Sequence, residues 1–92
     1  MSEFRREILI VNQRGLHARA SAKFVGAVAN LSGETVVRVA KDGNEAAGGS
    51  ILGLMMLGAA KGDTIELIVG GENAEAAFAE LGAMIEDGFG ED

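Results

Sequence analysis

Apolar residues in this chain recur with two different periods by turns, and that alternation restricts its folds more than any other feature. Phe4 to Val11 closes on a dense Ile-Leu-Ile-Val run, short and rich in β-branched side chains, which predicts a buried strand. The turn Asn12-Gln13-Arg14-Gly15 follows. Ala18 to Asn30, alanine-rich and interrupted only by Gly26, then predicts a helix whose buried face the alanines leave open. Glu34 to Ala40 predicts a second strand. Asp42-Gly43 is a pair favoured in two-residue hairpin turns, where both central residues take positive φ, so a short third strand is expected over Asn44 to Ala47. Gly48-Gly49-Ser50 opens the apolar stretch Ile51 to Gly58, read as a short helix capped by Ser50.

Lys61-Gly62-Asp63 is a turn into Thr64 to Val69, where Ile65, Leu67 and Val69 alternate with Glu66 and Ile68. After Gly70-Gly71, with Asn73 as N-cap, Ala74, Ala77, Phe78, Leu81, Met84 and Ile85 recur at three- and four-residue spacing and predict the last helix. The tail from Asp87 to Asp92 is expected to fray. The order is therefore β-α-β-β-α-β-α. It implies an α/β chain of the α+β kind: an open-faced β-sandwich, with a four-stranded antiparallel or mixed sheet covered on one face by three helices.

Composition sets the class. The 92 residues fit a single domain over 1–92, and 48% hydrophobic content allows a packed core. The absence of cysteine excludes disulfides and zinc–thiolate sites, as suits a reducing compartment. The first residues lack the long apolar region of a signal peptide, and no apolar run reaches the ~18 residues of a membrane span. The chain therefore reads as a soluble cytoplasmic protein. Met1 to Lys41 carries seven Lys/Arg and three Glu, or +4, and Asp42 to Asp92 one Lys and eleven acids, or −10, which together give the net −6. That balance, with no Trp or Tyr for stacking, argues against a nucleic-acid partner. The basic first half can still present a cationic patch to an acidic protein or a phosphate.

The chain has one histidine, His17, placed by Gly15-Leu16-His17-Ala18-Arg19 at the start of the first predicted helix. The first amides of a helix have no intrahelical partner and carry the positive end of the dipole, so they suit an anion such as phosphate. An imidazole of ordinary pKa, about 6.5, is largely neutral and nucleophilic at pH 7. Its attack on phosphorus gives a phosphoramidate whose charge the Ala18 and Arg19 amides could hold, while Arg19 donates to the phosphoryl oxygens. Gly15 would allow a sharp turn before the site, and Arg14 adds positive charge. A lone histidine near a helix start is more often a surface or capping residue, and spacing alone leaves both readings open. With no second histidine and no cysteine, no metal site is expected.

The run Gly15-Leu16-His17-Ala18-Arg19-Ala20-Ser21-Ala22 resembles the active-site signature of the HPr family, histidine phosphocarriers of the phosphoenolpyruvate-dependent phosphotransferase system. Ser50 to Gly58 resembles that family's regulatory-serine segment, and the family's β-α-β-β-α-β-α order agrees with the order read above. The resemblance implies that His17 takes a phosphoryl group on its δ nitrogen from enzyme I and passes it to a histidine of a downstream acceptor protein. Arg19 matches the arginine that assists transfer, and Ser50 the serine that a kinase/phosphorylase modifies in some members. It also implies a docking patch near His17, for which Ile51, Leu52 and Met55 are the candidates. No cofactor is implied.

Two positions depart from the family pattern. Ala20 stands where many members have proline, which costs rigidity at the helix start rather than chemistry. Gly49 precedes Ser50 where many have a polar residue, which bears on kinase recognition. Two other members of the class of readings stay open: a regulatory homologue of the nitrogen-related branch, and a binding module for anions or proteins in which His17 is never phosphorylated. A small metabolic enzyme finds no convincing acid–base pair here.

Overall fold

The computed structural model describes residues 3–91, and within them the strands and helices follow the predicted order. Strands β1 (Glu3–Leu9), β2 (Thr35–Lys41), β3 (Asn44–Ala47) and β4 (Thr64–Gly71) form one sheet in the order β1-β4-β2-β3, antiparallel throughout. Helices α1 (Ala18–Ala29), α2 (Ile51–Met56) and α3 (Ala74–Glu86) pack on one side of it.

The pleat decides which residues face the helices, because successive strand side chains point to opposite faces. Val69 lies between Phe4 and Val37 in register, Leu67 between Arg6 and Val39, and Ile65 opposite Ile8. Ile8, Val37, Val39, Ile65, Leu67 and Val69 then share one buried cluster with Phe24, Leu54, Leu81 and Ile85 from the helices. The hairpin between β2 and β3 has the expected geometry, with φ of 51° at Asp42 and 86° at Gly43. Helix α3 lies over β1 and β4, where the Phe4 and Phe78 rings sit 5.6 Å apart and Arg6 reaches Glu86 at 2.9 Å.

Several expectations need correction. The apolar run that ends β1 is buried only at alternate positions: Ile8 and Ile10 face the core, and Leu9 and Val11 are exposed. Ile68 is buried on the open face, outside the main cluster. It sits in register between Arg5 and Arg38, whose aliphatic stems can cover it while their heads pair with Glu3, Glu45 and Glu66. Asn73 occupies the N-cap position of α3 but adopts left-handed backbone (φ 57°) and makes no side-chain cap. The tail is not frayed over its described part. Gly88–Gly90 form a 3₁₀ turn, and Phe89 joins the core at φ 58°.

Candidate functional site

The site begins where β1 gives way to the first helix. Past Leu9 the chain is still held to the α2–β4 connection, with Ile10 donating its N–H to Asp63 O at 2.8 Å and Leu16 to Ala59 O at 3.0 Å. Gly15 bends the chain with φ +59°, and a Cβ there would lie 2.2 Å from Ala59 O, so only glycine fits. Leu16 is buried beside it, and the buried Ser21 hydroxyl donates to Leu16 O at 3.2 Å. His17 is thereby delivered to the N-cap of α1 in extended conformation, φ −75° and ψ −179°. Its carbonyl accepts from Ser21 N at 2.9 Å, the first turn of the helix.

Its ring, however, caps nothing. His17 makes no side-chain bond to the early amides of α1, so Ala18 and Arg19 hold the first-turn position expected of them with no side-chain cap over their N–H groups. No acidic side chain occupies that first turn either. The imidazole, 15% exposed, looks into a cleft lined by Gln13, Arg14, Arg19, Lys23, Gly90 and Glu91. Arg14, Arg19 and Lys23 give that cleft a cationic wall, and Arg14 and Arg19 are exposed and outside any ion pair among the described residues.

Two residues that sequence reasoning missed complete the site. Glu91 places its carboxylate oxygens 2.7 and 3.0 Å from His17 Nε2. Asn12, fully buried, donates Nδ2–H to Glu91 Oε1 at 3.0 Å and to Gly15 O at 2.9 Å. Desolvation pushes the Glu91 carboxyl up, but hydrogen bonds from Asn12 and His17 and the nearby charge of Lys23 outweigh it, leaving the group below its ordinary value. The available signal for this tail was Phe89, a single apolar residue between two glycines.

Ser50 behaves as predicted. It is the N-cap of α2, and its Oγ accepts from Gly53 N at 2.9 Å. The helix it opens is less buried than its composition suggests. Only Leu54 is buried, whereas Ile51, Leu52, Met55 and Met56 are exposed, Leu52 at 68% and Met56 at 77%. A six-residue helix lying on one face of its neighbours cannot turn every side chain inward. Helix α2 packs against α1, so the apolar patch and the His17 cleft belong to adjoining elements. Among the described residues no group of three His, Asp or Glu side chains is placed to hold a metal. Among the same residues no helix is long and apolar enough to cross a membrane.

A histidine at the N-cap position, a first turn without a side-chain cap and a cationic wall thus meet in one cleft. Residues 4–87 match the family model described as the PTS HPr component phosphorylation site. The chain is 44% identical over 87 residues to the phosphocarrier protein HPr of Neisseria meningitidis serogroup B, covering 95% of this chain and 96% of that protein. It is 33% identical to the phosphocarrier protein NPr of Shewanella violacea, over 99% of this chain and 98% of the other. Among solved structures it superposes on HPr-C-His of Thermoanaerobacter tengcongensis with a TM-score of 0.87 and 37% identity, covering 100% of this chain and 99% of that one. The chain belongs to the HPr family, the phosphocarrier proteins of the phosphotransferase system.

Proposed function

We propose that His17 is the carrier residue: it accepts a phosphoryl group from phospho-enzyme I and passes it to a histidine of a downstream acceptor protein. The observation that carries this reading is the His17 ring, which stands at a helix N-terminus without capping it and faces a cleft walled by Arg14, Arg19 and Lys23. The Ala18 and Arg19 amides hold the phosphoryl oxygens, and the Arg19 guanidinium offsets their charge. The chain acts as one domain over 1–92, as a protein substrate of phosphotransferase enzymes rather than a catalyst, with no cofactor of its own, in the cytoplasm.

Ile51, Leu52 and Met55 dock enzyme I and the acceptors, a role suited to exposed, adaptable apolar side chains. Leu52→Glu should slow transfer about tenfold, one modest interface contact's worth, and unchanged rates would remove the patch from this scheme. Ser50 is a regulatory phosphorylation site, where added charge meets a helix N-terminus that tolerates it while repelling an acidic partner. A serine kinase and ATP that left Ser50 unmodified would sink that part. The NPr likeness over nearly the whole chain favours a second reading, a regulatory homologue of the nitrogen branch, which shares the His17 chemistry and differs in acceptor.

The test is intact mass after mixing the protein with phosphoenolpyruvate, magnesium and a compatible enzyme I, before and after brief acid treatment. A single acid-labile adduct, absent in His17→Ala, is the expected result. No adduct with an active enzyme I would shift the reading to a binding module.

A further inference from the structure

The tail is built into the His17 site, and phosphoryl transfer as described above makes no use of it. Three contacts fix its course. Phe89 is buried in the core, its carbonyl accepts from Lys23 Nζ at 2.8 Å, and Glu91 Oε1 accepts from the buried Asn12. Asn12 is itself anchored on Gly15 O, so the carboxylate is aimed from a fixed support. It meets His17 Nε2 at 2.7 Å.

An ionised carboxylate can only accept a hydrogen bond, so this contact forms only when Nε2 carries a proton. In a neutral imidazole that leaves the lone pair on Nδ1. We propose that Glu91 is a positioning residue that holds neutral His17 in the Nε2–H tautomer and so presents the Nδ1 lone pair to the incoming phosphoryl group. The inference rests on the carrier reading of His17.

The step balances without moving a proton. The Nδ1 lone pair attacks phosphorus, the N–P bond forms, and the bond from phosphorus to the donor's nitrogen breaks with its electron pair. The ring, still protonated on Nε2, becomes cationic, and the Glu91 carboxylate faces that new charge. In onward transfer the N–P pair returns to Nδ1, and a ring kept protonated on Nε2 leaves as neutral imidazole rather than as an anion. One contact therefore serves uptake and delivery alike, the arrangement by which a carboxylate orients an imidazole in other proton-handling sites.

The experiment is nitrogen NMR of the unphosphorylated protein labelled at histidine, at a pH above the ordinary histidine value, with transfer rates measured in parallel. The wild-type protein should show a protonated Nε2 and a bare Nδ1. In Glu91→Ala those signals should move toward the tautomer mixture of a free histidine side chain, and transfer should slow about tenfold, the scale of one charge-assisted hydrogen bond. Glu91→Gln should lie between, and Glu86→Gln, at the C-terminal end of α3 and paired with Arg6 rather than His17, should match wild type. A wild-type ring protonated on Nδ1, or a tautomer ratio unmoved in Glu91→Ala, would overturn the inference and leave the carrier reading intact. Wild-type protein that takes up no phosphoryl group would remove the carrier reading itself, whatever the tautomer signals show.

Discussion

The two short-range helix starts, α1 at His17 and α2 at Ser50, have the same backbone plan and opposite chemistry. Each begins with an N-cap in extended conformation and has no acidic residue in its first turn. Ser50 turns its hydroxyl back onto Gly53 N and satisfies its own helix. His17 turns away, toward Glu91, and leaves its helix uncapped. A side chain that completes the helix contributes stability, and one that declines to do so leaves a site where an anion can bind. The histidine reading of α1 therefore draws on what its cap omits. Ser50 has a sufficient structural role before any regulatory one is added.

The comparison breaks first on substitution of the caps. His17→Ala should abolish the acid-labile phosphoryl adduct while costing only about 1 kcal/mol of stability, since no cap is lost and the bond removed is the one to Glu91. Mass spectrometry and urea unfolding would check both halves, and an adduct surviving in the variant would end the distinction. Gly15→Ala should destabilise by about 3 kcal/mol, because the new methyl meets Ala59 O in a backbone conformation alanine resists. That cost, read from unfolding midpoints, would show that the N-terminus of α1 is held by the loop before it. Ser50→Ala should cost about 1 kcal/mol by the same measurement and leave transfer within about twofold of wild type. A neutral effect would mean the Gly53 bond contributes nothing.

The smallest effect concerns pH. The folded Glu91 carboxyl lies below its ordinary value, so its contribution is complete above that value and is lost as pH falls through the depressed one. The stability difference between wild type and Glu91→Gln should therefore hold steady at neutral pH and close below about pH 4. A difference that persists in acid would assign the effect to packing.

Much of the fold was legible because its elements have strong local patterns. The alternation of Ile65, Leu67 and Val69 named the central strand's inward face, and the spacing from Ala74 to Ile85 named α3. Composition misled in β1, where the dense apolar run buries only every second residue, whereas Ile51, Leu52 and Met55 of α2 are exposed as a patch on a short helix would be. The candidates His17, Arg19 and Ser50 were named from their motifs, and the structure brings His17 and Arg19 to one cleft with Ser50 outside its lining. Glu91 and Asn12 were not named, because their roles depend on contacts 74 and 79 residues apart in the chain. Phe89 also adopts a positive φ that no local propensity favours.

The strand order β1-β4-β2-β3 has a consequence for how the chain comes into being. β4 alone touches both β1 and β2, and its pairing of Gly70 with Glu3 spans most of the sequence. As a ribosome delivers the protein, the first strand waits, and the β2–β3 hairpin stands by itself, until Thr64 to Gly71 emerges to join them. Closure of the sheet is thus a late, long-loop event whose entropy falls due all at once. Before it, the nascent chain has helical segments and a hairpin but no common floor to pack on, and nothing yet fixes Ala59, on which the histidine loop leans.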